Sequence, residues 1–135
     1  MIKGIAHTAY VVEDLETSIA FYSNVLGFEK LFTMRDDQGN PRIVYLKVAE
    51  NQFIELFPAS SINGGNKSEI GYAHLCLEVD DIDQIASQMK EKGVTLDVEP
   101  QQGDDGNFQC WIQDPDGNKI EFMQMMPDSL QMKNQ

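Results

Sequence analysis

Gly4-Ile5-Ala6-His7-Thr8-Ala9-Tyr10-Val11-Val12 and Gly71-Tyr72-Ala73-His74-Leu75-Cys76-Leu77-Glu78-Val79 decide the fold, because the second stretch repeats the first. Each carries a histidine into a short β-like run and meets an acidic turn, Glu13-Asp14-Leu15 or Asp80-Asp81-Ile82, before a helical pattern begins. Near the far end of each half lies a second matching strand, Phe53-Ile54-Glu55-Leu56-Phe57 in one and Ile120-Glu121-Phe122-Met123 in the other. The two histidines of the chain stand 67 positions apart and the two strand glutamates 66.

Working outward from the first histidine, period-two alternation puts Ile5, His7, Ala9 and Val11 on one face of a strand, with Tyr10 on the other, against the first helix. Asp14 is the expected N-cap of that helix, Leu15, Ile19, Tyr22 and Leu26 recur at its spacing, and Gly27 closes it. Strands are expected at 28–34, 43–48 and 52–57, with a hairpin turn at Arg35–Pro41 and a tight turn at Ala49–Asn51. The second half repeats this order. Asp81 caps a helix that Gly93 ends, and strands follow at 94–98, 108–112 and 119–125, the last after the turn Asp114-Pro115-Asp116-Gly117-Asn118. The polar tail from Pro127 is expected to fray.

The fold class expected is therefore α+β: one domain over 1–135, with two β-α-β-β-β modules, about 1–58 and 71–125, joined by a linker at 59–70. Neither module buries both faces of its sheet alone. Pairing the two sheets into one curved mixed sheet, helices outside, would enclose a trough lined by inward-facing strand residues.

A chain of 135 residues buries a core without disulfides, and a mean hydropathy of −0.36 belongs to an ordinary soluble protein. No apolar run is long enough to span a membrane, and no secretory layout opens the chain. Its two cysteines make no disulfide framework, so a cytoplasmic location is the expectation. The net charge of −12 repels nucleic acid and anionic membranes, leaving small molecules as partners. An anionic substrate would need local cations, and Arg35 and Arg42 are the only arginines.

Taken singly, His7 or His74 reads as a hydrogen-bonded structural histidine, and Glu55 or Glu121 as the solvated half of an alternating strand. Taken together they read differently, because both kinds of residue recur at equivalent repeat positions. A pseudo-twofold relation between the halves would bring His7, Glu55, His74 and Glu121 to one point. Two imidazoles and two carboxylates suit a borderline divalent ion (Ni, Co, Zn, Mn or Fe) better than Mg or Ca. Such an ion also neutralises two carboxylates that would otherwise be costly to bury together.

The same residues carry a resemblance. His7-Thr8, Ala20-Phe21-Tyr22-Ser23-Asn24-Val25-Leu26-Gly27-Phe28, Ile54-Glu55-Leu56, His74 and Asp114-Pro115-Asp116-Gly117-Asn118-Lys119-Ile120-Glu121 resemble the vicinal-oxygen-chelate superfamily. Within it they look most like short bacterial glyoxalase I, the lactoylglutathione lyases, over roughly residues 3–125. That resemblance implies one divalent metal, nickel or zinc favoured, held by His7, Glu55, His74 and Glu121. It also implies a homodimer and a lyase or isomerase acting on a hemithioacetal or α-hydroxycarbonyl. The ion would hold the substrate oxygens and stabilise an enediolate, with Glu121 as the base and Glu55 as its symmetric counterpart.

Two alternatives stand beside it on the same scaffold: an extradiol-dioxygenase-like Fe(II) enzyme, and a non-catalytic small-molecule binder of the drug-resistance type. A carboxylate at Glu55 counts against the dioxygenase, whose pattern resembles His7, His74 and Glu121 alone. One departure bears on substrate. In glyoxalase I the position four residues after the first histidine carries an arginine that grips the glutathione carboxylate, and here it is Val11. Arg35 and Arg42 are the candidates to replace it, and another thiol or a small carbonyl compound becomes a credible substrate. Trp111 and Phe108 are candidate pocket residues with core packing as the plainer role. Cys76, on the His74 face, reads as a small buried residue.

Overall fold

The computed structural model describes residues 6–59, 72 and 74–134, so Gly4, Ile5, Gly71, Ala73 and nearly all of the expected linker lie outside the described residues. The chain divides into two units, Met1–Ile70 and Gly71–Gln135. Each is an α+β unit built on a four-stranded mixed sheet.

In the first unit β1 (His7–Val12) leads to helix α1 (Leu15–Ala20), followed by β2 (Glu29–Arg35), β3 (Pro41–Ala49) and β4 (Gln52–Pro58). The strand order is β1-β4-β3-β2, with β1 parallel to β4 and the other pairs antiparallel. The parallel pair requires a crossover, which α1 supplies, whereas β2–β3–β4 need only tight turns. Asp14 caps α1 as expected, its Oδ1 accepting from the Thr17 amide at 2.7 Å. The α-helix is shorter than the spacing predicts. It ends at Ala20, and Phe21–Val25 winds as a π-helical turn before Gly27, at φ 79°, reverses the chain. That wider turn keeps Tyr22 fully buried, 6.2 Å from the ring of Tyr10 and 6.0 Å from that of Phe28.

The second unit repeats the plan with β5 (His74–Glu78), α2 (Ile82–Glu91), β6 (Val98–Gln102), β7 (Phe108–Gln113) and β8 (Lys119–Gln124), in the order β5-β8-β7-β6. Asp81 caps α2 through the Gln84 amide at 2.9 Å, and Gly93, at φ 78°, ends it. The strand expected at 94–98 begins only at Val98 and runs through Pro100. Proline is tolerated there because β6 is an edge strand, where a missing N–H breaks no ladder. The C-terminal tail is also more ordered than its polarity suggests. Leu130–Lys133 forms a short helix, α3, capped by Ser129. The buried Asn107 fastens it, donating to Gln131 at 2.9 Å and accepting from the Met126 amide at 2.8 Å. Asp105 joins this network, and its hydrogen bonds to Gln131 and Asn107 hold its carboxyl below its ordinary value.

Alternation divides each sheet into two chemical faces. In the first unit Tyr10, Val12, Val44, Leu46, Ile54 and Leu56 are buried on the α1 side. The opposite face carries His7, Ala9, Glu55 and Tyr45. Leu46 is fully buried, so Leu46→Ala is expected to cost about 2–5 kcal/mol. Phe32→Ala, at a residue 50% exposed, should cost less than half of that. Denaturant unfolding of both variants tests this division of the faces.

Candidate metal centre

The strand register assembles one histidine–glutamate pair in each unit. In the first, β1 lies beside β4 with Ala9 opposite Glu55, which sets His7 diagonally across from that carboxylate. His7 Nε2 stands 3.4 Å from Glu55 Oε2. In the second, Cys76 is opposite Glu121 and His74 takes the same diagonal, its Nε2 3.1 Å from Glu121 Oε2. The parallel pairing of first and last strands, repeated in both units, produces this arrangement twice.

Burial sharpens the contrast with an ordinary strand. Glu55 is 6% exposed and Glu121 5%, where an alternating-strand glutamate belongs in water. The imidazoles remain partly open, with side-chain exposures of 45% for His7 and 37% for His74. A buried carboxylate beside a single imidazole is expensive unless further positive charge arrives. The distances fit such an arrival. Two donors at about 2.0–2.2 Å from one small divalent ion stand roughly 3.0–3.5 Å apart for right-angled to tetrahedral geometry. Each pair therefore matches half of a mixed nitrogen–oxygen shell. Among the described residues no group of three or more His, Cys, Asp or Glu side chains forms a fuller shell.

The surroundings of the two glutamates differ. Antiparallel pairing puts Tyr45 opposite Glu55 on β3, and Trp111 opposite Glu121 on β7. The Glu55 carboxylate across from it pushes the Tyr45 phenol above its ordinary value of 10.0. Its ring stacks on Phe32, centroids 4.5 Å apart at 19°. Trp111 sends its indole N–H to Gln109 Oε1 at 2.7 Å and sets its ring edge against His74, centroids 4.8 Å apart. Trp111 is thus a neighbour of the site rather than a core residue. Cys76 is not the buried residue expected: it presents surface to solvent, yet desolvation of its thiol and then the Glu121 charge push it up to about 12.

Sequence reasoning missed Tyr45. The signal was there in the repeat, since Tyr45 lies 66 positions before Trp111, the same offset that relates Glu55 to Glu121. The two arginines are placed elsewhere. Arg35 Nη1 donates to the Gly39 carbonyl at 3.0 Å and closes its own hairpin. Arg42 lines a cleft with Asp14, Leu15 and Glu16 at the start of α1. Val11 is 48% exposed on the face that carries His7.

The model of the Glyoxalase/Bleomycin resistance protein/Dioxygenase superfamily matches residues 4–122. The chain is 32% identical over 124 residues to the lactoylglutathione lyase of Haemophilus influenzae, covering 89% of this chain and 91% of that protein. It is 31% identical over 128 residues to the lactoylglutathione lyase of Salmonella typhimurium, with the same coverage. Among solved structures, a member of the superfamily from Sphaerobacter thermophilus superposes with a TM-score of 0.75 at 31% identity, covering 92% of this chain and 98% of that one. With the repeated strand–helix–sheet units and their paired His–Glu donors, these likenesses decide the family: the chain belongs to the glyoxalase/bleomycin resistance protein/dioxygenase superfamily.

Proposed function

We propose that the chain is a glyoxalase I-like, metal-dependent lyase or isomerase that moves a proton beside a polarised carbonyl. The observation that carries this reading is the pair of buried glutamates, each 3.1–3.4 Å from a histidine Nε2 at the equivalent place of its unit. Relatives at 31–32% identity are named lactoylglutathione lyase, which supports the same class of substrate: a thiol adduct of a small aldehyde.

In this reading His7, Glu55, His74 and Glu121 hold one divalent ion; the mixed donor set suits Ni, Co, Zn, Mn or Fe, and the family likeness favours nickel or zinc among them. When bound, the ion supplies Lewis acidity at the substrate oxygens and raises the acidity of the neighbouring C–H. The imidazoles contribute neutral nitrogen donors, and the two carboxylates match the charge of the cation. Glu121 accepts the proton from carbon and returns it to the adjacent carbon, so the reaction needs no redox partner. A homodimer belongs to the same reading. So does the reducing cytoplasm, which suits the free thiols of Cys76 and Cys110.

The test is to strip the protein of metal, add back Ni²⁺, Co²⁺, Zn²⁺, Mn²⁺ or Fe²⁺, and assay each form on methylglyoxal with glutathione. One ion per site with turnover only in loaded protein is the expected result. Stoichiometric metal without turnover would redirect the search to another carbonyl substrate. Absence of metal binding would overturn the reading in favour of a binding module.

A further inference from the structure

Beyond Glu55 the His7 face of the first sheet turns wholly apolar. Val11 on β1 stands opposite Phe57 on β4, and Ile43 on β3 stands opposite Met34 on β2. Phe57 lies two positions from Glu55 and Ile43 two from Tyr45, so alternation sets all four side chains on the side that carries the glutamate. They form one row across the four strands, about 6.6 Å further along than the row of Glu55. None of them is buried: Val11 is 48% and Met34 39% exposed, with Ile43 and Phe57 half-buried. The open face of such a sheet is ordinarily polar. The second unit shows that the fold does not require this row. Its register puts Glu78, Met123, Gln109 and Gln101 at the equivalent place beyond Glu121, and three of those four are polar. The first unit therefore offers what the second does not, a contiguous apolar surface open to water beside a His–Glu pair. That combination is the make-up of a ligand site.

We infer that this row receives the far end of the substrate and that this end is apolar and uncharged, so that the preferred adduct is one of an aryl or alkyl thiol. The inference rests on the proton-transfer reading above for where the reacting carbon lies, and adds to it the class of group attached through sulfur. A reacting carbon beside Glu55 sets its sulfur substituent about two residues' rise along the strands, over Val11, Phe57, Ile43 and Met34. None of these four side chains is a cation that could pair with a carboxylate, and all four gain by leaving water with an apolar partner.

Two readouts test it. The first is turnover of the methylglyoxal hemithioacetals of 2-phenylethanethiol, 2-mercaptoethanol and glutathione by metal-loaded protein. The phenylethanethiol adduct should have a kcat/KM at least about 10-fold above both others. Val11→Asn and Met34→Gln should each reduce that preference about 5-fold, since each removes part of the apolar surface that the phenyl group covers. Glu78→Gln, in the polar row of the second unit, should leave the preference as it is. Equal or faster turnover of the other two adducts, or a preference that both row variants leave intact, would overturn the inference.

The second readout is binding of N-phenyl-1-naphthylamine, an uncharged apolar fluorophore, to metal-free protein. The parent should bind it with enhanced emission, and each row variant should weaken that binding about 5-fold. No binding by the parent, or unchanged affinity in both variants, would overturn the inference. Parent protein that takes up no metal and turns over no adduct would end the proton-transfer reading. The fluorophore needs neither metal nor turnover, so it still decides whether the row takes an apolar ligand. A parent that fails to bind it, together with a dimer that Met34→Gln separates into monomers in sedimentation, would give the row to a second copy of this chain, against the inference.

Discussion

Glu121→Gln is expected to lower kcat by about 10²–10⁴, the contribution of a positioned general base, while KM changes little. The amide keeps the shape of the carboxylate and its place opposite Cys76 and Trp111. It loses the charge and the capacity to take a proton. Glu55→Gln, by contrast, leaves an oxygen donor on a strand where no proton need be accepted, and its loss of kcat should be about tenfold or less. The unequal surroundings of the two glutamates make this ordering specific. A measurement of kcat and KM on both variants at saturating metal decides it. A Glu121→Gln protein with near-parent kcat, or a Glu55→Gln protein that loses as much, would reassign the base.

The fold and the donor pairs were legible in the sequence for one physical reason: the repeat. Asp14 and Asp81 as caps, Gly27 and Gly93 as helix stops, and the parallel entry and exit strands all recur at a near-constant offset, so each half checks the other. What escaped was set by packing rather than by pattern. Periodicity follows Leu15 to Leu26 as one helix, and the π-helical turn at Phe21–Val25 keeps nearly the same residues inward, so spacing cannot tell the two apart. The late start of β6 depends on its edge position, which only the sheet order reveals. The short C-terminal helix depends on Asn107, a buried polar residue with a hydrogen-bond network drawn from the 105–107 turn and the tail together. At the site, the identity of His7, Glu55, His74 and Glu121 came from the repeat. Their burial came from the structure, and it sets these two glutamates apart from the solvated half of an alternating strand.

Val11→Arg is expected to lower KM for the glutathione hemithioacetal of methylglyoxal by roughly 10–150-fold with kcat unchanged. That range corresponds to about 1.5–3 kcal/mol for charge-assisted hydrogen bonds to the tripeptide carboxylates. The unchanged kcat follows from distance. Four residues along a strand at about 3.3 Å each put Val11 some 13 Å from His7, near the far end of a long substrate rather than its reacting carbon. Binding energy gained there is the same in ground and transition states. Valine at 48% exposure leaves a longer side chain free to extend along the His7 face. An adduct with a small neutral thiol should show no gain, which separates carboxylate recognition from a general effect on the site. If the parent protein already binds the glutathione adduct tightly and Val11→Arg changes nothing, another cation holds the tail. Arg35 donates to the Gly39 carbonyl and Arg42 lines a cleft with Asp14 and Glu16. A large gain would point to a native substrate whose far end is uncharged, because an exposed valine stands where that end would lie.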